Sequence, residues 1–344
     1  MQENSPHEAL FYERLPAGEV RCGVCLRRCR LAQGRKGFCL TRKNVGGTLA
    51  SLIYGAVSTL HYSPAEKKPL FHFFPGEIFL SIGSLGCNFR CPGCQNWKIA
   101  HLDAETNLGQ TQFISPERLV ELAVLQKAVG ISWTYNEPTL WFEYSLDVAR
   151  LARAHGLLTN YVTNGSITPE ALDAIGPYLD AFRVDIKGYW PRTYERIANF
   201  KDVHSILTVV ERAKKKWAVH VECVTNVIPG MNDDAGEIRA IARWIRDYLG
   251  PETPWHITRF YPAGKLNGLP PTSISLLESL SALARDEGLL YVYLGNVPGH
   301  PEENTLCANC GGLLIEREGF SILKNAIQEG KCPWCSHAVP GKFR

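Results

Sequence analysis

Three cysteines stand close together in Cys87-Asn88-Phe89-Arg90-Cys91-Pro92-Gly93-Cys94, a Cys-x3-Cys-x2-Cys spacing. Thiolates are soft ligands that suit iron–sulfur clusters and zinc. An electron-transfer cluster takes four thiolates. A tight loop offering three leaves one iron without a protein ligand, open to a small molecule that chelates it. Two other readings share the spacing: a zinc site, or an ordinary cluster completed by a distant cysteine such as Cys223. Side chains alternate between the faces of a strand. In Val221-Glu222-Cys223-Val224-Thr225-Asn226, Glu222 and Asn226 therefore share one face, and Cys223 shares the other with Val221 and Thr225. With the polar face turned inward, Cys223 packs against helices as a small hydrophobe, away from the triplet.

The remaining cysteines form two further groups. Cys307-x2-Cys310 and Cys332-x2-Cys335 have the knuckle spacing of a zinc ribbon, four thiolates around one tetrahedral ion; His337 beside them reads as a bystander. Cys22-x2-Cys25-x3-Cys29-x9-Cys39 closes a coordination shell within one short region and permits zinc or an auxiliary cluster, with zinc the favoured reading.

The elements around the triplet are those of an α/β protein. Candidate strands are Ile78–Gly83, Ile131–Tyr135, Leu158–Thr163, Phe182–Ile186, Val219–Val224, Trp255–Phe260 and Leu290–Leu294. Helices start between them at Ser115-Pro116-Glu117 and Thr168-Pro169-Glu170, each with an N-cap hydroxyl, a proline at the first helical position and an acid in the first turn. Asp233-Asp234 precedes a helix through Ile241 and Trp244. Gly156 and Gly288 mark helix ends. This alternation predicts a parallel sheet with crossover helices. Six to seven units are short of a closed eight-unit barrel, so the expected fold is a partial (β/α)6-type parallel barrel. A doubly wound open sheet is the alternative, weakened because no G-x-G-x-x-G follows the first strand. The expected organisation is a Cys-rich N-terminal module over 1–75, the partial barrel over 76–300 and a zinc-ribbon-like tail over 301–344. The triplet follows the first barrel strand directly, at the end of the sheet where barrel active sites lie.

Composition excludes several classes. A net charge of +3 over 344 residues is too small to imply nucleic acid or an anionic membrane as partner. The basic clusters Arg27-Arg28-Cys29-Arg30 and Lys214-Lys215-Lys216 read as solvated faces. No apolar run reaches the roughly 18 residues of a membrane span, and the first residues lack the apolar core of a secretory signal. A cytoplasmic location is expected, where twelve cysteines favour metal over disulfides.

The amino and carboxylate groups of S-adenosylmethionine (SAM) would suit the open iron, and the triplet resembles the radical SAM signature. Thr134-Tyr135-Asn136-Glu137-Pro138 is similar to that superfamily's Gly-Gly-Glu-Pro loop, with Tyr135 and Asn136 in place of the glycines. Tyr161-Val162-Thr163-Asn164-Gly165 resembles its Thr-Asn-Gly strand end. Arg183-Val184-Asp185-Ile186-Lys187 and Val227-Ile228-Pro229-Gly230-Met231-Asn232-Asp233-Asp234 resemble segments of glycyl-radical-enzyme activases such as pyruvate formate-lyase activating enzyme. Glu66-Lys67-Lys68-Pro69-Leu70-Phe71-His72-Phe73, Gly37-Phe38-Cys39 and Cys94-Gln95-Asn96-Trp97 extend the likeness to the AmmeMemoRadiSam-system radical SAM enzymes.

The resemblance implies a 4Fe–4S cluster on Cys87, Cys91 and Cys94 that reductively cleaves SAM to a 5′-deoxyadenosyl radical. That radical takes hydrogen from a small or carrier-bound substrate, or from a glycine of a partner enzyme. The implied cofactor contacts are Gly93, Gln95, Asn136, Glu137 (to the SAM amino group), Asn164, Asp185, Lys187, Glu222, Ile228, Arg259 and Tyr261; His256 reads as core. The implied partners are an electron donor such as ferredoxin or flavodoxin and, by genomic association, Memo-like and AMMECR-like proteins. A non-catalytic metal-binding or electron-transfer protein, whose central cluster has a fourth protein ligand, is the competing class.

Overall fold

Parallel strands cannot be joined by tight turns, so each needs a crossover, and the crossovers set the order of the main sheet. The computed structural model describes residues 7–344. Its central sheet has eight strands: β1 (Thr59–Pro64), β2 (Ile78–Gly83), β3 (Gly130–Trp133), β4 (Leu158–Thr163), β5 (Ala181–Asp185), β6 (His220–Val227), β7 (Trp255–Arg259) and β8 (Val292–Gly295). Spatial order follows chain order. β1 pairs antiparallel with β2, and every later pair is parallel. β1 and β8 are the two edges, so the sheet is open, in keeping with a partial barrel.

The crossover helices begin where a side chain accepts one of the N–H groups that have no partner within the helix. Ser115 accepts from Arg118 N at the start of Pro116–Leu125, Thr168 from Ala171 N at the start of Pro169–Ile175, and Asp234 from Glu237 N at the start of Ala235–Trp244. Their apolar faces and the sheet form one continuous core, in which Trp133, Tyr161, Phe182 and Ile257 are fully buried. None of the described helices is long and apolar enough to cross a membrane.

The strand not foreseen is β1, which lies inside the stretch expected to be a separate module. Thr59-Leu60-His61-Tyr62-Ser63-Pro64 presents no apolar face, its positions running from half-buried to exposed except Ser63. It is held instead by pairing with β2 and by polar contacts. The hydroxyls of Ser63 and Ser81 meet at 2.9 Å, and the buried Lys68 ammonium donates to the Ser63 carbonyl and hydroxyl at 2.7 Å.

Below the sheet, at the ends where the strands begin, the chain segment Leu70–Phe74 is pinned by one carboxylate. Glu222 Oε2 accepts from Phe71 N (3.0 Å) and His256 Nε2 (2.7 Å), and Oε1 from His72 N (2.8 Å) and His220 Nε2 (3.0 Å). The C-terminal tail docks on the same segment. Its antiparallel strands Thr305–Leu306, Leu313–Glu318 and Ser321–Asn325 bring in Arg317. That buried guanidinium stacks 4.0 Å from the Phe71 ring centre and donates to the Phe71 carbonyl. His72 Nδ1 donates to the Pro340 carbonyl, while its Nε2 accepts from Tyr293, both at 2.6 Å. A neutral ring can do both; burial lowers the His72 pKa to about 4.

Burial pushes the Glu222 carboxyl up, but hydrogen bonds from His220 and His256 outweigh it and hold it well below the usual carboxylate range. A depressed carboxyl contributes stability above its unfolded pKa of about 4.5 that is lost as pH falls through the folded value. Glu222→Gln should therefore cost about 3–5 kcal/mol at pH 7, the range for breaking a buried pair. Urea unfolding should show that gap shrinking as the pH drops below about 4.5; an equal loss at pH 7 and pH 3 would contradict the assignment.

Candidate functional site

At the opposite end of the sheet, the residues after β2, β3 and β4 converge on the cysteine loop. Asn136, beyond β3, fixes its entry: Oδ1 accepts from Ser84 N (3.0 Å), and Nδ2 donates to the carbonyls of Leu85 (3.2 Å) and Gly86 (3.0 Å). Gly86 has φ 83°, and a Cβ there would lie 2.3 Å from the Thr41 methyl and 2.9 Å from the Cys39 carbonyl, so the N-terminal module packs directly behind the loop. Asn164, beyond β4, donates to Asn88 Oδ1 at 2.9 Å, with Nδ2 3.8 Å from Cys87 Sγ.

Two arginines lock the backbone between the cysteines. Arg90 donates to the carbonyls of Cys87 and Phe38, both at 2.6 Å. Arg27 stacks 3.7 Å from the Phe38 ring centre and donates to the carbonyls of Asn88 and Asn199. Arg27 is thus a half-buried brace and not part of a solvated face, which corrects the reading of that basic cluster. In the other cluster, Lys216 pairs with Asp173 at 2.8 Å and Lys214 reaches Thr253 Oγ1 at 2.6 Å. The far end of the loop is covered by the segment after β7. Lys265 N donates to the Pro92 carbonyl at 2.7 Å, and a Cβ at Gly93 would meet Leu266 and Phe260 at 3.1 Å.

Cys87, Cys91 and Cys94 are half-buried at the mouth. Burial pushes all three thiols up, Cys94 to about 11, while Lys187 works against the rise at Cys91 and Cys94. Buried thiolates are stable only beside compensating positive charge, which a bound metal would supply. Among the described residues, no three of the N-terminal or central cysteines bring their Sγ atoms within 4.8 Å of one another, whereas Cys307, Cys310, Cys332 and Cys335 do. The central three thus lack the compact spacing of a single tetrahedral ion, and their donor set fits a larger iron–sulfur unit. Cys223 is fully buried, with Lys214, Glu222 and Arg183 as its charged neighbours, so it is not the missing ligand.

Glu137 is buried beside this loop. Its Oε1 accepts from Thr139 N (3.0 Å) and Thr163 Oγ1 (2.8 Å), and its Oε2 from Asn164 N (2.8 Å). A carboxylate offers about four acceptor directions, so one on Oε2 is left. Tyr135, standing where the resembling motif has glycine, adopts φ 71°, a left-handed conformation that glycine takes at no cost. Arg183, Asp185 and Lys187 form an ion-paired row along and beyond β5, Arg183 Nη1 at 2.6 Å and Lys187 Nζ at 3.3 Å from Asp185. Arg259 ends β7 and Tyr261 follows it, with Arg259 anchored on the Thr272 carbonyl at 2.8 Å. Gln95 is exposed beyond Cys94. Ile228 is buried among Ile197 and Phe260.

One expected cofactor contact is corrected. Glu222 lies at the other end of the sheet with its acceptor positions engaged, as described above. The side chain of Asn136 is spent on the loop backbone, which leaves its main chain for the contact expected there. Arg90 within the loop, and Arg27, Lys265 and Leu266 that hold it from outside, were not foreseen. Their partners are backbone carbonyls or small residues, which leave no spacing pattern in a sequence.

Asn136→Ala removes three bonds and leaves Ser84 N unpaired. At about 1–3 kcal/mol for an orphaned buried donor, the chain should lose that much stability in urea. Its reconstituted iron should also be lost to a chelator faster than that of the wild type; equal loss rates would show that the clamp does not hold the loop.

Comparison with known proteins agrees with this geometry. Residues 81–245 match the model of the Radical SAM superfamily. The chain is 41% identical over 336 residues to an uncharacterized protein, MJ0808, of Methanocaldococcus jannaschii, covering 96% of this chain and 98% of that one. It is 24% identical over 135 residues to isethionate sulfite-lyase activating enzyme of Desulfovibrio desulfuricans, covering 39% of this chain and 43% of that enzyme, less than half its length. A radical SAM methyltransferase structure from Sphaerobacter thermophilus aligns at TM-score 0.48 and 15% identity over 70% of this chain and 71% of that one. With a three-cysteine loop at the mouth of an open parallel sheet and a family match spanning it, the chain belongs to the radical SAM superfamily of enzymes.

Proposed function

We propose that this chain holds a 4Fe–4S cluster on Cys87, Cys91 and Cys94 and uses it to cleave SAM reductively, abstracting hydrogen from a small or carrier-bound substrate. The observation that carries the reading is the set of three converging thiols at the sheet mouth with Cys223, the one ungrouped cysteine, buried elsewhere. When bound, the cluster supplies the electron that splits the sulfonium of SAM into methionine and a 5′-deoxyadenosyl radical. The protein's part is to orient and exclude. Glu137 is held by Thr139, Thr163 and Asn164 so that its remaining acceptor can take the amino group of SAM. The Asp185–Lys187 pair and Asn164 line the approach beside the thiols, with Ile228 as an apolar wall and Arg259 and Tyr261 reaching from β7. Gln95 borders the open side, and Gly93 keeps the loop close under Leu266 and Phe260.

Likeness to an activating enzyme favours a second reading, generation of a glycyl radical on a partner enzyme. Radical SAM activating enzymes take electrons from a reductant such as flavodoxin or ferredoxin, and we assign that role to one of these here. Memo-like and AMMECR-like proteins are the proposed pathway partners, in the cytoplasm. Residues 76–300, with β1 added to their sheet, form the proposed catalytic unit, flanked by a module over the rest of 1–75 and by a tail over 301–344. For the tail we propose zinc: Cys307 and Cys335 stand with Sγ atoms 3.6 Å apart, Cys310 and Cys332 3.7 Å apart, close to the roughly 3.8 Å edge of a tetrahedron with 2.3 Å Zn–S bonds.

Anaerobic reconstitution with iron and sulfide, then dithionite and SAM, tests the reading. The wild type should form 5′-deoxyadenosine and Cys94→Ala should form none. No product from a reduced, intact cluster would contradict it. Product that rises only when a partner protein is added would select the activase reading.

A further inference from the structure

The N-terminal cysteines lie outside the site described above, and their placement separates them from the tail. Cys22 ends the strand Val20–Cys22, Cys25 and Cys29 follow in the next turn, and Cys39 precedes the strand Arg42–Val45. All four line one cavity, walled further by Arg42 and Asn88. Cys22, Cys25 and Cys39 are buried and Cys29 half-buried, so the protein itself can supply the whole ligand shell.

Spacing decides what that shell fits. Around one zinc, four thiolates sit at the corners of a tetrahedron with edges of roughly 3.8 Å, as the tail cysteines do. No three of the N-terminal Sγ atoms come within 4.8 Å of one another, a spacing they share with Cys87, Cys91 and Cys94. A cubane places a separate iron under each thiolate and so holds the sulfurs further apart than a single ion does. The wide quartet therefore departs from the zinc expected of it.

A second observation concerns charge and hydrogen bonding. Arg42 is fully buried and lines the cavity, pairing with Glu143 through its Nη atoms at 2.7 and 3.0 Å. Its Nε has no hydrogen-bond partner, and a buried unpaired donor is costly. Thr41 Oγ1 already donates to Cys39 Sγ at 3.2 Å. Sulfide and thiolate sulfurs of a cluster accept such bonds, and the net negative charge of a four-thiolate cluster suits a buried guanidinium. Gly37 leaves the space beside two thiols free, since a Cβ there would stand 3.5 Å from Cys39 Sγ and 4.0 Å from Cys29 Sγ.

We infer that Cys22, Cys25, Cys29 and Cys39 hold a second 4Fe–4S cluster, fully ligated by protein. Asn88 stands in the wall of this cavity and directly follows Cys87 in the chain, so the two iron sites are neighbours.

The test is metal content with Mössbauer spectroscopy on the full chain after anaerobic reconstitution. The wild type should carry about eight iron and one zinc per chain. A Cys87→Ala/Cys91→Ala/Cys94→Ala variant should keep about four iron, four sulfides and the zinc, with the spectrum of a cubane. Adding Cys22→Ser and Cys25→Ser should remove that iron and leave the zinc. Two zinc ions and only about four iron in the wild type would overturn the inference, and the count does not depend on any variant folding. Two-iron, two-sulfide stoichiometry in the triple variant would overturn it equally.

Discussion

A loop that offers thiolates to a shared metal unit has to be held by groups other than the ligands, and the chemistry assigned to this protein depends on that support. The loop from Ser84 to Cys94 is short of hydrogen-bond partners of its own. It takes them from Asn136, Asn164 and Arg27 outside it, and from its own Arg90 side chain. Two of these side chains stand at the ends of neighbouring parallel strands, so the register of β2, β3 and β4 fixes the site. The clamps end on backbone or amide atoms, with Asn164 also reaching toward Cys87 Sγ at 3.8 Å.

The two ends of the sheet use charge differently. At the bottom, Glu222 meets four donors and Arg317 covers Phe71, so the polar groups there tie the tail and the Leu70–Phe74 segment to the barrel. At the mouth, Arg183 and Lys187 pair with Asp185, and Glu137 meets three donors, which leaves one acceptor position on its Oε2. Burial without spare capacity marks structure, and burial with it marks a place for a ligand. This difference is one of geometry, which explains why Glu222 looked from its strand parity like a cofactor contact.

Much of the fold was legible in the sequence because its signals are local. The seven parallel strands have apolar cores and capped helices between them, and each was placed within a few residues. β1 escaped because its stability comes from pairing with β2 and from Lys68 and Ser63, not from an apolar pattern. At the site, the cysteines, Glu137, Asn164 and the Asp185–Lys187 pair stand at strand ends, where position in the chain predicts position in space. The braces were illegible, since Arg27 resembles any surface arginine until Phe38 and Asn88 come to meet it. The spacing that distinguishes one cysteine quartet from the other is likewise a property of the folded chain, not of the intervals Cys-x2-Cys or Cys-x3-Cys.

The central claim is that the cluster on Cys87, Cys91 and Cys94 keeps one iron for SAM, with Glu137 receiving the amino group. Electron–nuclear double resonance on the reduced protein, with SAM carrying nitrogen-15 in its amino group, tests this directly. The account predicts a hyperfine coupling between that nitrogen and the cluster, weakened or lost in Glu137→Ala. A wild-type spectrum with no nitrogen coupling from a reduced cluster, at SAM concentrations that saturate binding, would contradict it.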